Sequence, residues 1–161
     1  MTIYFYKVWQ PYGCFSNFSS HPIQIHGTYW STVEHYYQAQ KFVGSKDAAI
    51  IPVIHAATTP EEAAALGRCN SRTLRLDWDV VKTQVMREAV LKKFFTHSDI
   101  REVLLATGDE MIVENSPTDY FWGCGTDKTG NNHLGKILMN VREEIRRLRL
   151  YSVITSDCLT E

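Results

Sequence analysis

Near the carboxyl end of this chain, hydrophobic positions follow the period of an α-helix. They fall at steps of three or four residues, as Leu134, Ile137, Leu138, Val141, Ile145 and Leu148. Charged residues occupy the opposite face, so the pattern predicts a long helix with one buried side. The same period predicts a second long helix over about residues 79–95 and a shorter one over about 98–108.

Three other segments have the composition or the two-residue alternation of β-strands. Residues 2–9 are rich in β-branched and aromatic side chains and predict one strand, and residues 110–114 predict a second, short strand. Residues 23–30 alternate around His26 and Gly27, which predicts a small hairpin.

Three shorter helices are expected between the hairpin and the long helices. The first covers residues 31–42. The second covers about 46–57 and contains Pro52, whose ring should kink or interrupt it. The third begins at Thr59, a helix cap that is followed directly by proline, and it ends at Gly67.

Together these elements predict one α+β domain, mainly helical, with a small antiparallel sheet. A length of 161 residues, 44% of them hydrophobic, suits one ordinary globular domain. We expect this domain to occupy residues 1–150, and the tail over residues 151–161 to fray.

Charge and cysteine content exclude several classes of protein. A net charge of -1 offers no overall attraction to nucleic acid or to an anionic membrane, and no apolar run is long enough to span a bilayer. The first residues enter a strand pattern without the layout of a signal peptide. The four cysteines are scattered, and neither they nor the six histidines have metal-ligand spacing. We therefore expect a cytoplasmic protein without a metal or cofactor, and the sequence indicates no protein partner.

The helix predicted from Ser31 combines unusual chemistry in a short span. Glu34, Gln38 and Lys41 are spaced at i, i+4 and i+7, so they share one face, and Tyr37 lies beside them. A carboxylate, an amide, a cation and an aromatic ring suit a pocket wall that binds a polar ring compound. Alternatively, Ser31 followed three residues later by Glu34 is a capping box, in which Glu34 only stabilises the helix start.

The loop over residues 115–132 is the second candidate site. Loops of this length inside a small domain are commonly functional, and this one contains Asp119, Trp122 and Asp127. Its glycines match neither the dinucleotide-binding nor the Walker pattern. The loop leads into a helix start, where free N–H groups favour an anion. Alternatively, Asn132 only caps that helix and Trp122 fills the core.

A connector with three arginines, Arg68, Arg72 and Arg75, could supply bidentate contacts to a phosphate. Any one of them could equally be a solvated surface residue. Carboxylates, stacking aromatics and phosphate-binding cations suit cleavage of a bond between a sugar and a nitrogen base, which passes through an oxocarbenium-like sugar. The same groups would also make a nucleotide-binding pocket without catalysis.

Nine segments between about residues 4 and 148 carry a resemblance to a known family. They are Phe15–Phe18, Glu34–Phe42, Gly67–Arg68, Val85–Met86, Lys93–Phe94, Leu104–Gly108, Asp119–Gly123, Gly130–Gly135 and Leu138–Arg142. On these segments the chain resembles the YbiA-like, or NADAR, family. The helix with Glu34 and the segment from Trp122 to Gly135 are specific when taken together.

The resemblance implies a YbiA-like fold and an N-glycosidase. It implies that the catalytic residues are Glu34, Asp119 and Trp122. It also implies substrate contacts from Asn17, Phe18, Tyr37, Lys41, Arg68, Asp127 and Asn132. Lys128 stands where many members of the family have glycine, so the role of Asp127 is the least determined.

Two branches of this family differ in substrate. One resembles the hydrolase that destroys early riboflavin intermediates, which are phosphoribosylated aminopyrimidines, and releases ribose 5-phosphate. The other removes ADP-ribose from modified guanine in nucleic acid. We expect the first activity, on a small phosphorylated riboside, because the domain is compact and has no basic surplus. ADP-ribosylated nucleic acid is the alternative substrate, and a module that binds ADP-ribose without cleaving it is the alternative of another class.

Overall fold

Six α-helices and four short strands make up the described part of the chain in a computed structural model. That part comprises the backbone of residues 1–157 and the side chains of residues 1–152. The elements follow in this order: β1 (Ile3–Phe5), β2 (Ile23–Ile25), β3 (Thr28–Trp30), α1 (Val33–Gln40), α2 (Ile51–Ala56), α3 (Pro60–Gly67), α4 (Trp78–Thr96), α5 (Ser98–Ala106), β4 (Ile112–Glu114) and α6 (His133–Asp157). The predicted α+β class, mainly helical, is confirmed.

The strands form two separate pairs. The hairpin of β2 and β3 is the predicted antiparallel sheet, with Ile23 opposite Trp30. In addition, β1 pairs with β4 in parallel, with Phe5 opposite Glu114. The strand predicted over residues 2–9 is shorter, because the chain turns immediately after β1. This parallel pair brings the end of β4 next to the loop that follows β1.

The long helices form the core, as their apolar stripes predict. Met86 and Phe94 of α4 are fully buried, as are Leu134 and Leu138 of α6. Leu148, the last residue of the predicted stripe, is exposed. Helix α6 continues to Asp157, and therefore enters the predicted tail; residues 158–161 lie outside the described part of the chain. In residues 1–157 no helix is long and apolar enough to cross a membrane.

Helix α1 begins one residue later than the capping-box interpretation requires. The cap is Thr32, whose Oγ1 accepts a hydrogen bond from the backbone N–H of His35 at 3.3 Å. The side chain of Glu34 is buried and bonded to Gln38 instead of reaching back to Ser31. The capping-box interpretation of Glu34 is therefore wrong, because its side chain does not cap the helix.

The segment between α1 and α4 supports α1 from one side. The predicted interruption near Pro52 appears as a 3₁₀ turn at Ala48–Ile50, after which α2 begins with Pro52 in its first turn. Thr59 caps α3, as predicted, by accepting a hydrogen bond from the N–H of Glu62 at 3.1 Å. Helices α2 and α3 both pack on α1, so even the polar side chains of α1 are largely buried.

Candidate active site

A pocket of about 620 Å³ lies beside α1. Its other walls are the end of α3, the loops at residues 6–9 and 16–18, and the chain from the end of β4 to Trp122. Eight of the ten predicted site residues line it: Asn17, Phe18, Glu34, Tyr37, Lys41, Arg68, Asp119 and Trp122. The fold thus joins the two stretches that the sequence analysis treats as separate candidate sites.

The structure places the other two predicted contacts, Asp127 and Asn132, outside the pocket lining. The Asn132 amide donates to the carbonyl of Ile112 at 2.9 Å, and its Oδ1 accepts from the N–H of Glu114 at 2.9 Å. Its backbone oxygen accepts from Lys136. The expected substrate contact of Asn132 is therefore corrected, because both ends of its amide are used to hold β4 against the start of α6.

Asp127 lies on the exposed side of its loop. Its Oδ1 accepts hydrogen bonds from the N–H and the hydroxyl of Thr129, at 3.1 and 2.8 Å. These bonds lower the pKa of the Asp127 carboxyl. The carboxylate therefore stabilises a local turn; it also interacts with Tyr120, which lines the pocket, although Asp127 itself does not.

Glu34 is the most deeply buried acid of the pocket, with 3% of its surface exposed. Its Oε1 accepts a hydrogen bond from Gln38 Nε2 at 2.7 Å and lies 3.8 Å from Arg68 Nη2. Burial raises the pKa of Glu34, while Gln38, Arg68 and Lys41 oppose that rise. The site therefore holds a poorly solvated carboxylate next to an amide donor and two cations, an environment typical of catalytic acids.

Close packing of α3 on α1 fixes the partner of Glu34. A Cβ atom at Gly67 would lie only 2.1 Å from Gln38 Oε1, so glycine is needed for this approach. The backbone oxygen of Gly67 also accepts from Lys41 Nζ at 3.4 Å. The last turn of α3 thus positions two polar side chains of α1 around the pocket.

Of the three arginines in the connector, only Arg68 lines the pocket. Arg72 donates to the backbone oxygen of Leu66 at 2.7 Å, and Arg75 forms an ion pair with Asp77. The Arg68 side chain is 63% exposed, so it can contact an incoming anion.

Lys41 is the second cation of the pocket. Burial lowers the pKa of Lys41 to about 8, Glu34 opposes this shift, and Arg68 adds to it. Its Nζ lies 5.6 Å from the centre of the Tyr37 ring. At neutral pH the pocket therefore has two positive side chains near Glu34, which suits a substrate with a phosphate group.

Aromatic rings also line the pocket. Trp122 meets Tyr37 edge to face, with ring centres 5.4 Å apart, and Phe121 at 4.8 Å. Trp122 lines the pocket and also packs against the hydrophobic core. Burial raises the pKa of Tyr37, so its hydroxyl remains protonated. These rings offer apolar surface to a planar base.

Asp119 shapes the loop that carries these rings. Its Oδ1 accepts hydrogen bonds from the N–H groups of Phe121 at 2.9 Å and Trp122 at 2.7 Å. Its own N–H donates to Ser116 Oγ at 3.3 Å. The carboxylate thus faces the pocket and fixes the loop at the same time.

Glu114, at the end of β4, is a pocket residue that the sequence analysis did not single out. It lines the pocket, and its Oε2 is buried without a hydrogen-bond partner among the described residues. Burial raises the pKa of Glu114 to about 8; Asp119 and Glu34 add to the rise, and Arg68 opposes it. A carboxylate at a strand end, directly before a long loop, was the available signal.

No group of three His, Cys, Asp or Glu side chains in the described part of the chain is arranged to hold a metal ion.

Fold and site together define a single-domain α+β protein whose acids, cations and aromatic rings converge on one pocket, as in enzymes that act on small molecules. The sequence model of the NADAR domain matches residues 4–146, and the chain belongs to the NADAR family. The resemblance predicted from the sequence is thus confirmed.

Named relatives extend this result. The N-glycosidase Npun_R5314 of Nostoc punctiforme is 82% identical over 148 residues, which cover 92% of this chain and 95% of the relative. The riboflavin biosynthesis protein PYRR of Zea mays is 45% identical over 155 residues, covering 89% of this chain but only 25% of that longer protein. The NMR structure of E. coli YbiA matches with a TM-score of 0.84 and 42% identity, covering 93% of this chain and 89% of YbiA.

Proposed function

We propose that this protein hydrolyses the C–N glycosidic bond of phosphoribosylated aminopyrimidine intermediates of riboflavin biosynthesis and releases ribose 5-phosphate. Its class, a hydrolase of N-glycosyl bonds, follows from the family and from relatives that are named N-glycosidases. The maize relative, named a riboflavin biosynthesis protein, supports the choice of base. The observation that carries the proposal is the buried carboxylate of Glu34, beside two cations on the pocket wall.

Glu34 acts on the sugar carbon that loses the base. Breaking the C–N bond leaves positive charge on that carbon and on the ring oxygen. An ionised Glu34, shielded from water and held by Gln38, stabilises this charge and accepts a proton from the attacking water. Because the carboxylate is already oriented, little reorganisation is required during the reaction.

The remaining contacts divide by chemistry. Trp122 and Tyr37 provide the aromatic surface for the base. Arg68 and Lys41 bind the phosphate, which is distant from the bond that breaks. Asp119 keeps Trp122 in place through its bond to the Trp122 backbone N–H.

Product analysis tests this proposal. The protein is incubated with the phosphoribosylated aminopyrimidine, and ribose 5-phosphate is measured against the spontaneous rate. We expect release that exceeds both the buffer control and Glu34→Gln, with Glu102→Gln as active as wild type, because Glu102 is a surface acid of α5 paired with Arg149. Release no faster than in buffer would exclude this substrate.

A parallel assay with DNA that carries ADP-ribosyl guanine separates the alternatives. Loss of the adduct without turnover of the aminopyrimidine would assign the other branch of the family. Binding of ADP-ribose that stays intact after long incubation, with neither substrate cleaved, would identify a reader.

A further inference from the structure

We propose that Glu114 is a second catalytic carboxyl of this pocket and gives its proton to the base nitrogen as the C–N bond breaks. The inference rests on the proposed function, since it concerns the leaving group of that reaction. It assigns to two different acids the two proton transfers that hydrolysis requires.

The fold holds Glu114 in a fixed position. Its N–H donates to Asn132 Oδ1 at 2.9 Å, and its carbonyl accepts from the N–H of Cys124 at 2.9 Å. On the neighbouring strand it pairs with Phe5. Three backbone contacts thus hold Glu114 at the pocket wall, while its side-chain Oε2 has no hydrogen-bond partner among the described residues. A buried oxygen without a partner is costly unless it carries a proton or meets a ligand.

Of the four acids that line the pocket, Glu34, Asp119 and Glu114 differ in what surrounds them. Burial raises the pKa of Glu34 as well, but the hydrogen bond from Gln38 and the nearby Arg68 favour its ionised form. Asp119 Oδ1 is engaged by two backbone N–H groups. Glu114 has no donor on its buried oxygen and faces both of the other acids. Because neighbouring carboxyl groups do not all ionise together, the proton is retained by Glu114.

Other charged and titratable groups also line the pocket around Glu114. They are Tyr6, Lys7, Tyr37, Lys41, Glu61, Arg68 and Tyr120. Arg68 opposes the rise in the pKa of Glu114, which still reaches about 8. Glu114 is therefore mostly protonated at pH 7 and loses its proton in mildly alkaline solution.

The proton transfers balance. The C1′–N bond breaks as the protonated Glu114 gives its proton to the nitrogen, and the base leaves with an N–H. Water forms the new C1′–O bond, and its proton passes to the carboxylate of Glu34. Exchange with solvent then removes the proton from Glu34 and returns one to Glu114. No atom changes oxidation state, and no other reactant is required.

The test is the pH dependence of kcat, measured from pH 5 to 10 for wild type, Glu114→Gln, Glu114→Asp and the surface control Glu102→Gln. Wild type should lose activity on the alkaline side. Glu114→Gln should lower kcat on the order of 10²-fold, the usual effect of general acid catalysis, and should abolish the alkaline decline. Glu114→Asp should recover part of the rate.

Lys41 is the competing source of an alkaline decline, because burial lowers its pKa to about 8 as well. If the decline persists in Glu114→Gln, it belongs to Lys41 and the proposal fails. The proposal also fails if Glu114→Gln keeps kcat within about twofold of wild type. Either result leaves the cleavage itself established by the wild-type assay.

A second measurement needs neither a variant nor turnover. In wild-type protein labelled with carbon-13 at glutamate carboxyl groups, the Glu114 signal should be that of a protonated acid at pH 6 and should titrate near pH 8. An ionised Glu114 at pH 6 would overturn the inference even if Glu114→Gln does not fold. Failure to release ribose 5-phosphate, by contrast, would remove only the proposed substrate.

Discussion

Buried polar groups in the core and in the pocket of this protein differ in whether they have hydrogen-bond partners. In the core, Lys93 is 1% exposed, yet its Nζ donates to the carbonyl of Ser16 at 2.9 Å and to Ser19 Oγ at 2.6 Å. In the pocket, Asn17 Oδ1, Gln38 Oε1 and Glu114 Oε2 have no partner among the described residues.

This contrast distinguishes buried polar groups that hold the fold together from those that line the pocket. Buried polar atoms are normally hydrogen-bonded, because an unmade bond costs free energy. Of five such atoms without a partner in the described side chains, three belong to pocket residues; the others are Trp30 Nε1 and Arg142 Nε. These three atoms of pocket residues therefore have no hydrogen-bond partner within the described fold, whereas the Lys93 ammonium group has two.

The loop over residues 16–19 connects the two regions. Lys93, in the core, binds this loop through the carbonyl of Ser16, and Asn17 and Phe18 of the same loop line the pocket. The carbonyl of Asn17 accepts from the backbone N–H of Glu34 at 3.2 Å. Changes in the pocket should therefore alter activity with little effect on stability, and changes around Lys93 should do the reverse.

The largest expected effect is that of Glu34→Gln. The amide keeps the size of the side chain but can neither balance positive charge on the sugar nor accept a proton from water. We expect kcat to fall on the order of 10²-fold or more, with substrate still bound and the melting temperature close to that of wild type.

Glu102→Gln is the matched control for this variant, since it removes a carboxylate from the surface of α5. Measurement of kcat and of thermal unfolding on the same preparations decides the outcome. A kcat near that of wild type would show that Glu34 is not the catalytic carboxylate, and Asp119 would then be tested in the same way.

Local signals in the sequence predicted much of the fold. Helix stripes and the cap at Thr59 depend on residues a few positions apart, so α3, α4 and the first part of α6 lie where the sequence predicts them, although α6 continues to Asp157. The pairing of β1 with β4 joins residues 3 and 112. No local pattern contains that information, and therefore the parallel pair was not predicted.

The same limit applies to the site. Its two polar stretches were found from their composition, but the position of Glu114 in the pocket depends on the non-local strand pair. A substrate contact for Asn132 was implied by the family resemblance, whereas its place at a helix start indicated only a cap. Its actual partners, Ile112 and Glu114, are about 20 residues away and become visible only in the folded chain.

Replacing Lys93, the buried amine of the core, tests the expectation that changes in the core alter stability. Burial lowers the pKa of Lys93 to about 7, from 10.5, while Cys14 opposes the shift. Between these two values the unfolded chain binds one more proton than the folded one, so the free energy of unfolding rises with pH. The contribution of Lys93 to the free energy of unfolding should rise by up to about 1.4 kcal/mol per pH unit.

Urea unfolding of wild type and Lys93→Met at pH 7, 8 and 9 measures this contribution as the difference between the two proteins. Lys92→Met, from an exposed position of the same helix, is the control and should stay parallel to wild type. Parallel curves for Lys93→Met and wild type would mean that Lys93 keeps its charge in the folded protein.

Gly67→Ala should disturb the boundary between the two regions. The new Cβ atom would lie 2.1 Å from Gln38 Oε1, so Gln38 must move and its hydrogen bond to Glu34 is lost. Overpacking of this kind typically costs about 1–3 kcal/mol. We expect lower stability together with lower kcat, in contrast to Glu34→Gln.

A double-mutant cycle with Gln38→Ala identifies the cause. If the collision with Gln38 is responsible, the double variant should be more stable than Gly67→Ala alone. Equal stability of wild type and Gly67→Ala would indicate that α3 can shift away from α1 without cost.

The smallest expected effect is that of Arg68→Ala. Arg68 is largely exposed, and a phosphate that it binds stays in place while the C–N bond breaks. We therefore expect KM to rise about tenfold, which corresponds to about 1.4 kcal/mol of binding, with kcat changed less than threefold. Arg72→Ala is the matched control, because Arg72 bonds to the Leu66 carbonyl outside the pocket lining and should leave KM unchanged. A fall in kcat at constant KM would instead show that Arg68 acts through Glu34, which lies 3.8 Å away.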